Sequence, residues 1–203
     1  MNPKQTGIDS HPGRNSGSLP AGSEVAVRLS GEGGQGLILA GVILAEAAFV
    51  FDGKMVAQTE NYGPEARGGK SASDVIISSE EIDTPKVTFL DFLLCLTPES
   101  LKSYLPRVKK NGTVIADTTT IKEFPEATQR IVKIPLKRLT RERLGTEVAT
   151  NVVSLGVLRE VTGIVSRDAL LKAVEGRVPK KSLDLNRRAL ELGSELGREV
   201  CGG

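Results

Sequence analysis

Gly31, Gly33 and Gly36 stand in the stretch GEGGQG at the spacing G-x-G-x-x-G. A glycine turn of that spacing between a strand and a helix leaves the backbone bare, so a pyrophosphate can approach the N–H groups that open the helix. The flanks have the required character: EVAVRLS before the turn reads as a strand and LILAGVILAEAAFV after it reads as a helix. A dinucleotide also needs an acidic residue for the ribose hydroxyls at the end of the next strand, roughly 20 residues on. Asp52 has the spacing, but Asp52-Gly53 reads as the turn that ends the helix. Glu60 follows the next strand, KMVAQT, and arrives several residues late. The turn by itself leaves open a phosphate loop, a dinucleotide site, and a tight strand-to-helix turn with no ligand.

Other chemistry is thinly represented. The chain has no G-x-S-x-G elbow, no H-E-x-x-H and no Walker lysine. Its one histidine, His11, lies in the N-terminal region and reads as a solvated side chain. Without a cysteine–histidine pairing the usual nucleophile and base constellations are missing. Two cysteines, Cys95 and Cys201, with no C-x-x-C, cannot hold an iron–sulfur cluster alone. No catalytic or metal-ligating residue is assigned, and the chain reads as a binding module or one piece of an enzyme.

The elements that must position the glycine turn alternate along 203 residues, enough for one sizeable core. Residues 1–22, rich in Gly, Ser, Pro and Asn, read as a flexible tail, and 23–203 as one domain. Strands are expected at 54–59, 70–79, 89–96, 113–117 and 130–134, with Asn111-Gly112 a turn. FLDFLLCL is a continuous apolar run, expected as a central strand buried on both faces, with Cys95 a small buried hydrophobe. Thr97-Pro98-Glu99 signals a helix start. Helices are expected at 37–50, 136–144, 148–161, 167–175 and 182–198. The alternation predicts a single three-layer α/β/α domain with a mostly parallel sheet and a helical C-terminal third. The net charge of +2 gives no argument for nucleic acid, and no apolar run reaches the roughly 18 residues of a membrane span. The absence of a secretory signal and of a disulfide framework points to the cytoplasm.

A second glycine-rich segment, NYGPEARGG, is stiff at Pro64, bare at Gly63, Gly68 and Gly69, and carries one guanidinium, Arg67. Together GEGGQG and YGPEARGG, in this order, resemble the gamma subunit of the 2-oxoacid:ferredoxin oxidoreductases, over roughly Glu24 to the C-terminus. Asp91 ahead of LLCLT, Asn151 with Leu155-Gly156, and Asn186 are similar to the same pattern.

The resemblance implies an enzyme complex that oxidatively decarboxylates a 2-oxoacid on thiamine diphosphate, passes electrons through [4Fe–4S] clusters to ferredoxin and releases an acyl-CoA. The wording VAQTENYGPEARGG is most similar to the branch acting on 2-oxoglutarate; pyruvate and branched-chain enzymes share the domain. It places thiamine diphosphate and the clusters on companion alpha, beta and ferredoxin-like delta subunits. It gives this chain coenzyme A binding and active-site closure, through Gly31, Gly33, Gly34, Gln35, Gly36, Tyr62, Arg67, Gly68 and Gly69. Arg67 could serve coenzyme A or a subunit interface, and Glu65 a local or interface ion pair. The isolated chain is expected to be catalytically silent and to form a homodimer when unpartnered. A free-standing Rossmann-like dehydrogenase or regulator is the alternative. The basic residues Lys133, Lys137, Arg138, Arg141 and Arg143 are expected to form a solvated helix face.

Overall fold

The computed structural model of the chain describes residues 19–62 and 69–202. The expected tail as far as residue 18, with His11, and the loop residues Gly63, Pro64, Glu65, Arg67 and Gly68 lie outside them. The elements run β1 (Glu24–Glu32), α1 (Leu37–Glu46), β2 (Met55–Tyr62), β3 (Lys70–Ser78), β4 (Leu90–Cys95), α2 (Pro98–Tyr104), β5 (Val108–Asp117), β6 (Arg130–Ile134), α3 (Leu136–Leu144), α4 (Thr150–Thr162), α5 (Arg167–Arg177) and α6 (Leu183–Cys201).

The six strands form one sheet in the order β2-β3-β1-β4-β5-β6. Strands β1, β4, β5 and β6 pair in parallel, while β3 runs antiparallel to both of its neighbours, β1 and β2. Five strands therefore share one direction, and the expected mostly parallel sheet holds. Alternation along β1 sends Val27 and Leu29 to one face and Ala26 and Arg28 to the other. The first face carries the main core, closed by α1, α4, α5 and α6. The second is covered by α2 with Val87 and Ile121 from flanking loops.

Two local expectations are corrected. Asn111-Gly112 is not a turn: β5 passes through it, and the register with β4 jumps from Leu90↔Val108 to Phe92↔Thr113. The dipeptide sits in a bulge, where a Cβ on Gly112 would lie 2.9 Å from the Asp91 carbonyl oxygen. The helix expected to Val50 ends at Glu46, and Ala47–Phe51 widens into a π turn closed by the Asp52 N–H on the Ala47 carbonyl at 3.1 Å. Cys95 is buried as expected; burial, helped by the Asp117 carboxylate, pushes its thiol up to about 12.

Close approach of α4 and α6 explains two of the glycines. A Cβ on Gly193 would lie 2.1 Å from the Val153 carbonyl oxygen, and one on Gly156 2.9 Å from the Gly193 Cα. Small residues at this crossing let two backbones touch where side chains would hold them apart.

Candidate functional site

Strand β1 delivers the chain into α1 on the thick face of the sheet, whereas its parallel neighbour β4 delivers it into α2 on the opposite face. Adjacent parallel strands whose helices leave to opposite sides open a crevice at their carboxyl ends. GEGGQG occupies that switch point, and this is the geometric basis for treating it as a site.

The loop is held from within. The Glu32 N–H donates to the Gln35 side-chain oxygen at 3.0 Å, and the Gln35 N–H to the Glu32 carbonyl at 3.3 Å. Gln35 thereby folds over Gly31, where a Cβ would meet its Oε1 at 2.1 Å. Gly34 and Gly36 have φ of 88° and 73°, a region that suits glycine. Space around the two differs. A Cβ on Gly34 meets nothing within 4 Å among the described residues, but one on Gly36 would lie 2.7 Å from Asn151 Nδ2. Asn151 in turn donates to the Gly36 carbonyl at 3.1 Å, locking the start of α1 onto α4.

The start of α1 is open. Gly36 is its N-cap residue and offers no side chain to bond the first N–H groups. Leu37, Ile38 and Leu39 have no acceptor within the helix, because the first turn never does. Such N–H groups, with the positive end of the helix dipole, suit an anion.

Gly69, just ahead of β3, meets the first loop: the Gly33 N–H donates to the Gly69 carbonyl at 2.9 Å. Ser71 adds a bond from its hydroxyl to the Glu32 carbonyl at 3.2 Å. Of the residues named from sequence, Gly31, Gly33, Gly34, Gln35, Gly36 and Gly69 thus come together at the switch point. Arg67 and Gly68 lie outside the described residues. Tyr62 ends the edge strand β2, 69% exposed, with its hydroxyl on Glu60 at 2.6 Å. That bond to Glu60 chiefly raises its pKa, with desolvation and the carboxylate charge adding to it.

A buried hydroxyl chain beneath the loop was not foreseen. Thr97 donates to Ser100 at 2.9 Å, the Ser30 and Ser100 hydroxyls are 3.0 Å apart, and Ser30 donates to the Ser71 carbonyl at 3.3 Å. One proton per hydroxyl fixes the direction, Thr97 to Ser100 to Ser30 to Ser71, since Ser30 already donates onward. It ties the ends of β1 and β3 to the start of α2. Ser30, a small polar residue directly before the glycine turn in a strand otherwise rich in apolar residues, is the sequence signal that could have revealed it.

The acidic candidates for a ribose are committed elsewhere. Asp52 accepts from the Ser166 N–H at 2.7 Å and hydroxyl at 2.6 Å, and Ser166 caps α5. Antiparallel β3 separates β2 from β1, so Glu60 is two strand spacings, about 10 Å, from the strand that carries the loop. Neither Asp52 nor Glu60 is therefore placed to serve a ribose at this loop. Among the described residues no group of three or more His, Cys, Asp or Glu is placed to hold a metal ion, and no helix is long and apolar enough to cross a membrane.

A glycine loop opening a helix at the switch point of a mostly parallel α/β sheet defines the class of protein. The pyruvate ferredoxin/flavodoxin oxidoreductase family matches over residues 26–196, and the chain belongs to that family. It is 43% identical over 176 residues to the 2-oxoglutarate synthase subunit KorC of Methanocaldococcus jannaschii, an alignment spanning 86% of this chain and 94% of that one. The gamma subunit of a keto/oxoacid ferredoxin oxidoreductase from Geobacter sulfurreducens has a similar structure, with TM-score 0.78 and 40% identity over 86% of this chain and 99% of that one. The same fold occurs in the 2-oxoglutarate:ferredoxin oxidoreductase of Magnetococcus marinus, solved with 2-oxoglutarate, coenzyme A and succinyl-CoA. There the TM-score is 0.76 at 23% identity, over 87% of this chain and 31% of that one. The chain is a gamma subunit of a 2-oxoacid:ferredoxin oxidoreductase, one component of a multi-subunit enzyme.

Proposed function

We propose that this chain is the coenzyme A-binding subunit of a 2-oxoglutarate:ferredoxin oxidoreductase, and that GEGGQG receives phosphates of the coenzyme. The carrying observation is the uncapped N-terminus of α1, opening from glycines at the β1/β4 switch point. Gly34 supports it: the space a side chain would occupy there is open among the described residues, so a ligand can lie against the backbone. The 2-oxoglutarate assignment draws on the similarity to the M. jannaschii subunit. Thiamine diphosphate, bound by a beta subunit, would supply the decarboxylation chemistry. An alpha subunit would complete the enzyme, and a ferredoxin-like delta subunit would carry [4Fe–4S] clusters and pass electrons to ferredoxin. This chain would contribute binding, positioning and closure, with Arg67, Gly68 and Tyr62 serving coenzyme A or the neighbouring subunit.

Gly34→Ala tests the loop. Alanine at φ near 88° costs about 1–2 kcal/mol of backbone strain and adds a methyl group to the open side. In the assembled enzyme the KM for coenzyme A should rise about tenfold or more, with coenzyme A-independent decarboxylation of 2-oxoglutarate nearly intact. An assembled variant with wild-type coenzyme A dependence would reduce the motif to a turn.

A further inference from the structure

Asn151, in the first turn of α4, lies 115 residues along the chain from the glycine turn, yet its side-chain amide closes on the peptide unit that opens α1. The Gly36 carbonyl accepts the Ala40 N–H at 2.9 Å, the first bond of the helix, and Asn151 Nδ2 at 3.1 Å. A carbonyl oxygen has two lone pairs, so both are engaged. The amide also fills the room beside Gly36, where a Cβ would lie 2.7 Å from Nδ2.

Holding that oxygen aims a nitrogen. The Gly36 carbonyl and the Leu37 N–H share one planar trans peptide unit and point opposite ways, so fixing the first fixes the second. Glycine at φ 73° lets this unit turn more freely than a residue with a side chain would. Gly36 has no capping side chain of its own to hold it. Asn151 supplies the restraint from outside the helix, and it does so from a rigid base. It is 6% exposed, on a helix buried without a break from Thr150 to Arg159. Further along, α4 backs directly onto α6, where a Cβ on Gly156 would lie 2.9 Å from the Gly193 Cα.

We infer that Asn151 is a positioning residue for coenzyme A, acting through the Gly36–Leu37 peptide to keep the amides of the first turn of α1 aimed into the crevice at the β1/β4 switch point. This rests on the function proposed above. Without the Asn151 bond the glycines remain, but the peptide that leads the turn has to be ordered when a phosphate arrives, and the affinity falls accordingly.

The test uses the full chain assembled with its companions, assayed for viologen reduction with 2-oxoglutarate over a range of coenzyme A concentrations. Asn151→Leu keeps the size and suits a buried helical position but has no donor. Loss of one neutral hydrogen bond should raise the KM for coenzyme A about three- to tenfold, with turnover at saturating coenzyme A and the KM for 2-oxoglutarate close to wild type. Asn151→Asp sets a carboxylate against the Gly36 carbonyl oxygen and should raise the KM for coenzyme A about tenfold or more. Gly34→Ala is measured alongside as the probe of the loop itself. A wild-type KM for coenzyme A in both Asn151 variants, while Gly34→Ala raises it, overturns the inference and leaves the functional reading standing. A wild-type KM in all three sinks that reading and the inference with it. A merely structural asparagine would lower the melting temperature and the yield of assembled enzyme without moving the KM of what assembles. That pattern, or failure of both Asn151 variants to assemble, also overturns the inference.

Discussion

The Gly33 amide donates to the Gly69 carbonyl at 2.9 Å, joining two glycine-rich segments 36 residues apart. The bond leaves the neighbouring amides differently placed: Gly33 is satisfied internally, whereas the N–H groups of the first turn of α1 have no acceptor within the helix.

Amide exchange should report that difference. In the isolated chain the Gly33 amide is expected to exchange about tenfold or more slowly than the amides of Leu37 and Ile38, because exchange requires opening the contact with Gly69. Addition of coenzyme A should then slow Leu37 and Ile38 and leave Gly33 nearly unchanged. Nuclear magnetic resonance of a labelled sample reads all three positions. Equal exchange at Gly33 and Leu37 would show that the two loops are not coupled in solution.

Much of this site was legible because its signals are local. G-x-G-x-x-G demands a strand before it and a helix after it, and the structure places Glu24–Glu32 and Leu37–Glu46 there. Thr97 caps α2, accepting from the Ser100 N–H at 3.3 Å, as a threonine before Pro98 suggests. What could not be read depends on distant partners. Nothing in KSASDVIIS says that β3 runs against β1 and displaces β2 to the edge. Asp52 reads from sequence only as part of the turn that ends the helix, because Ser166, its actual partner, lies 114 residues away. Gly112 misled for another reason: a turn and a bulge both call for a residue without a side chain, and only the register of β4 against β5 separates them.

The Arg28–Asp74 pair should be expensive to break. The guanidinium forks onto the carboxylate with two 2.5 Å bonds, both side chains are at most 5% exposed, and the Tyr104 ring lies 4.4 Å from the guanidinium carbon. Asp74→Ala strands a buried cation and should destabilise the fold by about 3–5 kcal/mol. Pairing Arg28→Met with Asp74→Leu should recover most of that loss, since no charge is then left buried. Urea titrations of both variants check the order. A double variant weaker than Asp74→Ala would show that the pair contributes more than charge neutrality.

Lys54 gives a pH dependence with a defined sign. It is buried, donates to the Ile164 carbonyl and lies 3.8 Å from Asp52. Desolvation lowers its pKa below the ordinary 10.5, and the nearby Asp52 charge only partly opposes this. Between the lowered folded value and 10.5 the unfolded chain binds more protons than the folded one, so stability rises with pH across that window. The gain is fully present above 10.5 and is lost as pH falls through the folded value. Denaturation at a series of alkaline pH values, wild type against Lys54→Met, isolates the residue. The wild type should gain on the variant as pH rises towards 10.5, and a constant difference would mean that Lys54 titrates as it does in water.

The crossing of α4 and α6 sets the sharpest stability test, because there a single methyl group meets backbone from both directions. On Gly193 it would lie 2.1 Å from the Val153 carbonyl oxygen and 2.9 Å from the Gly156 Cα, and neither atom can rotate away as the end of a side chain could. Relief requires the two helices to part, which thins the packing of Val153, Val157 and Leu196 in the main core. Overpacking of this kind costs about 1–3 kcal/mol. For a chain of this size each kcal/mol moves the melting temperature by about 2–4 °C, so Gly193→Ala should melt about 2–12 °C below the wild type. The same substitution at Gly176, where the nearest atom to the new Cβ is the flexible Glu46 carboxylate at 3.7 Å, should instead be neutral or stabilising, since Gly176 lies in the last turn of α5 outside the left-handed region and alanine is the better helix former. Calorimetry of the two variants gives the comparison directly. Similar melting temperatures for both would show that α4 and α6 are not in backbone contact at Gly193.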